Sequence, residues 1–141
     1  MNTNKFLVGG IVGGIAYFLL GWLVWGILLK DFMATNVGSA GNVMRADSDI
    51  VWWALIVGNL FSGLALAYVL VRAGVNSVGS GAGTGAVFGL LIAAGFDFTM
   101  YGVSTLMTTK GALVDIGANL VVSAVVGGIV GWYLGMGKKA G

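Results

Sequence analysis

The 141-residue sequence predicts an all-α membrane protein: four transmembrane helices in one antiparallel bundle, joined through glycine-rich helix interfaces. Three observations predict it. Hydrophobic residues make up 58% of the chain and charged residues only 9%, against about 25% charged in an ordinary soluble domain, and mean hydropathy is +0.99. Four apolar runs, at 6–29, 50–71, 82–107 and 112–134, are each long enough to cross a hydrocarbon core as helix, which takes about 20 residues. Finally, there are 26 glycines and no proline, and most of the glycines lie inside those runs.

The first run opens after Lys5 and closes before Lys30. A cleaved signal has an apolar core of roughly 7–15 residues; this run is longer, and no small-x-small site follows it, so it reads as a retained span. Gly9, Gly13, Tyr17 and Gly21 share one face at four-residue spacing, and Trp22 and Trp25 mark the headgroup level near its end. Residues 30–49 form a polar loop with Phe32 and Met33 near its start, suited to an external lid, a partner surface or a linker. In the second span Asp49 suits a helix N-cap, Trp52 and Trp53 mark the same border, and Asn59, Gly63 and Ala67 share a face.

The third span follows loop 72–81, with Ser80 as its expected cap, and carries the ridge Gly81, Gly85, Gly89, Ala93, Asp97, Tyr101. Gly79, Gly81, Gly83 and Gly85 lack the preceding strand and the lysine that a phosphate-cradling loop needs. The fourth span, after residues 108–111, carries the ridge Asp115, Asn119, Ser123, Gly127, Gly131, Gly135 and ends at Trp132 and Tyr133. Asp115 falls in its first turn, where the helix N-terminus favours a carboxylate. Helices in lipid associate by close backbone contact, which small residues at this spacing permit. The expected packing residues are therefore Gly9, Gly13, Gly81, Gly85, Gly89, Gly127, Gly131 and Gly135, a glycine zipper.

Both ridges change from small to polar toward the end that carries the long loop. A turn near Thr109 would set Asp97 opposite Ser123 and Tyr101 opposite Asn119. Tyr17, Asn59 and Asp97 fall at similar depth, roughly 14–18 Å from the outer edge at about 1.5 Å per residue. The expected polar intramembrane cluster is Tyr17, Asn59, Asp97, Tyr101, Asn119 and Ser123. An ionisable group deep in a span is costly and faces protein or water. Asp97 therefore has two readings: a proton, cation or ligand site, or a hydrogen-bonded group that holds helices together through Tyr101, Ser123 or Asn119.

Histidine, cysteine and glutamate are absent, and the acids are Asp31, Asp47, Asp49, Asp97 and Asp115. Zinc sites, iron–sulfur clusters, His-ligated haem and Cys or His nucleophiles all need missing residues. No metal, cofactor or catalytic residue is expected. An intramembrane enzyme is the poorest reading, because Asp97 has no second acid at comparable depth and no histidine. The seven basic residues are scattered between apolar blocks, as loop charges of a membrane protein are, and do not form a nucleic-acid surface. Four of them, Lys5, Arg72, Lys138 and Lys139, lie on the side of both termini, and three, Lys30, Arg45 and Lys110, on the other. That bias sets both termini in the cytoplasm.

The order of these features resembles a family of small four-helix bacterial integral membrane proteins known only as a domain of unknown function. The matching residues are the Gly-x-x-x-Trp-Gly of Gly21 to Gly26, the pair Phe32–Met33, the Tyr-Val-Leu of Tyr68 to Leu70, and Gly128 and Gly131 of a late Gly-x-x-Gly. Many relatives have a Trp-Tyr-Gly-Pro-like run where this chain reads Val24-Trp25-Gly26-Ile27. The resemblance implies a four-span fold in the bacterial inner membrane and lends no activity. Asn59 to Gly63 is also similar to a segment of fluoride channels, but Asp97 within Phe96-Asp97-Phe98-Thr99 would repel an anion.

The functional expectation is a structural or accessory subunit of a membrane complex, or a homo-oligomer, without catalysis of its own. Its partners are the lipid bilayer and other membrane subunits or itself. The alternative is a small transporter or channel with a polar path around Asp97. Reporter fusions after Gly141 and within loop 30–49 are expected to give opposite compartment signals, the first cytoplasmic. Matching signals would defeat the even span count, and opposite signals of reversed sense would defeat the orientation.

Overall fold

The computed structural model describes residues 1–40 and 43–136. Lys138, Lys139 and Gly141, on which part of the charge bias rests, lie outside the described residues. The described chain is all-helical and has no strand. Helix α1 (Thr3–Leu23) starts where the Asn2 side chain accepts from the Lys5 amide at 3.1 Å. It runs on through a π-helical turn, Val24–Leu28, closed by the Leu29 amide on the Val24 carbonyl five residues back at 2.7 Å. A short helix α2 (Lys30–Thr35) follows, then a 3₁₀ turn at Asp47–Asp49. The remaining helices are α3 (Trp52–Arg72), α4 (Val78–Val103) and α5 (Thr109–Met136). Four of these, counting α1 with its π turn, are long and apolar enough to cross a membrane.

Capping moves several expected boundaries. Helix α4 begins four residues before the expected 82 because Ser77, not Ser80, caps it: the Ser77 hydroxyl accepts from the Ser80 amide at 3.2 Å. Helix α5 begins at Thr109 rather than 112, where the Thr108 hydroxyl accepts from the Gly111 amide at 3.0 Å. Asp49 does not cap α3, since the N-cap position is Val51, which offers no side-chain cap. Hydropathy registers a helix only where apolar residues begin, whereas the first turn is built by polar caps and glycine.

Helix α1 packs along α3, and α4 along α5, while α1 also meets α5 and α3 barely touches α4. Along α4 and α5, Gly81 faces Gly127 and Gly131, Gly85 faces Ser123 and Gly127, and Gly89 faces Asn119 and Ser123. The approach is backbone to backbone: a Cβ on Gly85 would stand 3.0 Å from the Gly127 Cα and 3.1 Å from the Ser123 carbonyl carbon. Between α1 and α3 the tightest contacts fall at Gly10 and Gly14, where a Cβ on Gly14 would lie 2.8 Å from the Leu60 Cα. Gly9 and Gly13 face Val130 of α5 together with Ala67 and Gly63 of α3. The buried core, with Leu66, Ala67, Leu70, Val126, Val130 and Leu134, fills the half nearest the α3–α4 turn. Large apolar side chains such as Leu19, Phe61 and Leu91 point outward on the remaining faces, a surface suited to hydrocarbon rather than water.

This register corrects the pairing read from the sequence. The α4–α5 connection is residues 104–108, centred before Thr109, so contacts slide by two turns along α5. Asp97, six residues before the end of α4, meets Asp115, six residues after the start of α5, instead of Ser123. Tyr101 meets Thr109 instead of Asn119, accepting from its hydroxyl at 2.7 Å.

The long loop is pinned to this connection. Gly38 and Ala40 donate to the Leu106 and Thr105 carbonyls at 3.1 and 3.2 Å, Thr108 donates to the Asn36 carbonyl at 3.1 Å, and Val37 bridges Met107. Lys30 pairs with Asp47 at 3.1 Å across the loop's base.

Gly85→Ala is expected to lower the melting temperature in mild detergent, at a cost of about 1–3 kcal/mol for forcing packed backbones apart. Gly83→Ala, whose Cβ would meet open space, should leave melting unchanged or raise it slightly, because alanine is the better helix former. Equal effects at the two sites would show that close packing of α4 on α5 does not limit stability.

Candidate functional site

Because α3 and α4 diverge while each holds its own neighbour, a cleft of about 780 Å³ opens between them in the half nearest the long loop. Its walls are Trp52, Leu55, Asn59 and Ser62 from α3 and Phe88, Ile92, Phe96 and Asp97 from α4, among others. Its floor comes from α1 and α5, through Tyr17, Trp22 and Trp25 and through Asp115, Asn119 and Ser123. No lysine or arginine lines it among the described residues.

The floor is a seam of polar contacts between α1 and α5. Tyr17 and Ser123 hydroxyls share a hydrogen bond of 2.7 Å, and Ser123 is almost wholly buried. Above them the Trp25 indole N–H donates to Asp115 Oδ1 at 2.7 Å. The π-helical turn sets this contact: Trp25 lies within the one stretch of α1 where the spacing widens to five residues, which turns its ring relative to a regular helix. The Asn119 amide donates to Asp115 Oδ2 at 3.1 Å and to the Asp115 carbonyl at 2.9 Å. Both Asp115 oxygens are thus engaged by N–H donors.

Asp97 is different. It is 3% exposed, and its Oδ2 is buried without a hydrogen-bond partner among the described residues. Its titratable neighbour is Asp115, another carboxyl. Two facing acceptors in a low-dielectric setting need a proton or a cation between them. The expectation that Asp97 lacks a second acid at its depth is therefore corrected, because α5 starts earlier than hydropathy indicates and carries Asp115 into its second turn.

Of the six residues expected to cluster, Tyr17, Asn59, Asp97, Asn119 and Ser123 line this one cleft, whereas Tyr101 lies outside it, exposed and bonded to Thr109. Asn59 turns its amide back to the Leu55 carbonyl at 2.8 Å instead of reaching Asp97. Neither Tyr101, Asn119 nor Ser123 hydrogen-bonds Asp97. Sequence reading missed Trp25, taken as a belt anchor, and Asp115, taken as a first-turn carboxylate. The signal available for Asp115 was its place at the head of the polar ridge it shares with Asn119 and Ser123. Among the described residues no group of three or more acidic, histidine or cysteine side chains forms a metal cage.

Comparison with known proteins supplies no relative: the chain matches no family model, no curated protein and no solved structure.

Trp25→Phe should cost more stability than Tyr17→Phe in thermal melts. Removing the indole N–H leaves the Asp115 Oδ1 atom without its donor, at about 1–3 kcal/mol. Removing the tyrosine hydroxyl costs about 0.5–1.5 kcal/mol, since Ser123 can turn to the carbonyl four residues back. The reverse order would mean that the Trp25–Asp115 contact does not hold the seam.

Proposed function

We propose that the protein is a small polytopic membrane protein that binds a cationic solute in the cleft around Asp97, as a carrier or receptor for it, without catalysis of its own. The four long apolar helices support a multi-pass arrangement. In this reading they form an antiparallel bundle whose glycine contacts seal one half, with both termini on the cytoplasmic side of a bacterial inner membrane. The observation that carries the reading is the buried Asp97 Oδ2, unpartnered among the described residues, in a cleft to which those residues bring two carboxyls and no basic side chain.

The sealed half argues against an open channel. Leu66, Ala67, Leu70, Val126 and Val130 are buried to 2% exposure or less below the cleft, so a solute meets a dead end unless the α1–α3 pair rocks against the α4–α5 pair. Hydrolysis by paired carboxyls is disfavoured because Asp115 has both oxygens engaged, leaving one free carboxyl rather than two. A second reading, an accessory subunit, is favoured by the gap between α3 and α4, which a helix of another membrane subunit or of a second copy could fill.

The chain has no cysteine, so single cysteines report accessibility cleanly. In membrane vesicles, Asn59→Cys and Ser62→Cys should react with a membrane-impermeant thiol reagent, and Ala67→Cys and Val126→Cys should not. Silence at both cleft positions would overturn the solute reading in favour of a cleft filled by protein or lipid. Reaction at the two core positions would overturn the sealed half.

A further inference from the structure

We propose that the ligand of the cleft is a lipophilic organic cation, such as an aromatic phosphonium or a quaternary ammonium, rather than a metal ion or a compact hydrated cation. The proposal rests on the reading of the cleft as a solute site and adds the class of solute.

Three features of the cleft converge on it. First, charge: two carboxyls face one another, no basic side chain compensates them among the described residues, and one oxygen of Asp97 is buried without a donor. A cation in the cleft would supply the missing charge. Second, the donor set is wrong for a bare metal ion. Calcium or magnesium takes about six or more oxygens, but both Asp115 oxygens accept N–H donors and the Asn119 amide nitrogen is turned toward Asp115. Asp97 alone remains with a free carboxyl oxygen. Third, size and walls: 780 Å³ falls within the range of about 300–1,000 Å³ typical of drug-sized ligands. Tyr17, Trp22, Trp25, Trp52, Phe88 and Phe96 surround it. Aromatic rings attract a diffuse organic cation through their electron-rich faces, with tryptophan the strongest.

The route in points the same way. The cleft opens sideways between α3 and α4, at the end where the Phe18 and Trp52 rings meet at a tilt, centroids 6.5 Å apart, between α1 and α3. In a bilayer that opening faces the headgroup and upper acyl region, which concentrates amphipathic cations and excludes strongly hydrated ones. A solute with apolar arms entering there keeps those arms against the aromatic walls while its charge reaches Asp97.

Tetraphenylphosphonium and tetraphenylborate have nearly the same shape and opposite charge, so together they separate charge recognition from greasy partitioning. With the full chain in nanodiscs, quenching of tryptophan fluorescence should show saturable binding of tetraphenylphosphonium and none of tetraphenylborate. Asp97→Asn should weaken phosphonium binding tenfold or more while retaining the wild-type melting profile. Trp52→Ala, on a half-exposed side chain, should weaken it at least threefold and provides a second measurement if Asp97→Asn folds poorly. Equal saturable binding of the two ions, or unchanged phosphonium affinity in both variants, would overturn the proposal. So would protection against melting by magnesium or sodium that depends on Asp97, with no phosphonium binding. If Asn59→Cys still reacts with the thiol reagent in any of those cases, the solute cleft stands and only the organic cation falls; if it does not react, the cleft reading itself fails.

Discussion

The register of α4 against α5 is the constraint on which the rest of the structure depends. Gly81 and Gly85 let the backbone of α4 lie directly against the main chain of Gly127 and Ser123, and Gly89 makes room for the Ser123 side chain and the Asn119 carbonyl. Such contact tolerates no slip, because each step of four residues would drive a Cβ or a hydroxyl into the opposing main chain. Once the glycines are seated, Asp97 has no freedom of position: the next turns of the same ridge bring it to Asp115. Two carboxyls are thereby placed together by residues that carry no charge.

The cleft is the complement of that close packing. Four helices of unequal mutual affinity need not close into a square; here α1 holds α3 through Gly10, Gly14 and Gly63, α4 holds α5, and the two pairs meet mainly along α1 and α5, with α3 adding only slight contacts to α4 and α5. That seam is apolar and buried at one end, around Val126 and Val130, and polar at the other, through Tyr17–Ser123 and Trp25–Asp115. Packing rigidity and polar chemistry thus occupy opposite halves of the same molecule. A seam held at one end by a few hydrogen bonds, beneath a cleft whose walls are not joined, is also where relative motion of the two pairs would cost least.

Much of the helical framework was legible without a structure, and particular residues explain where legibility stopped. The four long helices follow from hydropathy, since a run such as 50–71 offers water no favourable surface. Their ends did not follow: Ser77 and Thr108 look like ordinary loop residues until their hydroxyls are seen to accept helix amides. An error of a few residues at two facing ends was enough to pair Asp97 with the wrong partner, because ridge partners recur every four residues and each alternative on α5, Asp115, Asn119 or Ser123, is polar. Trp25 was illegible for another reason: a tryptophan near a helix end is expected at the headgroups, and only the π-helical turn directs this one to Asp115.

Composition and periodicity determined on their own that the chain is helical, that it is too apolar for an ordinary water-facing surface, and that small residues line one ridge of each of α4 and α5 ending in polar groups. These are local properties, written in hydropathy and in a spacing of four residues. Only the tertiary structure decided which polar groups meet, that Asp97 is left with an unpartnered oxygen, and that α3 and α4 stand apart to expose it. Those outcomes depend on register and on which helix pairs pack most tightly, and both are set by backbone contacts between segments far apart in the chain, which no local pattern encodes.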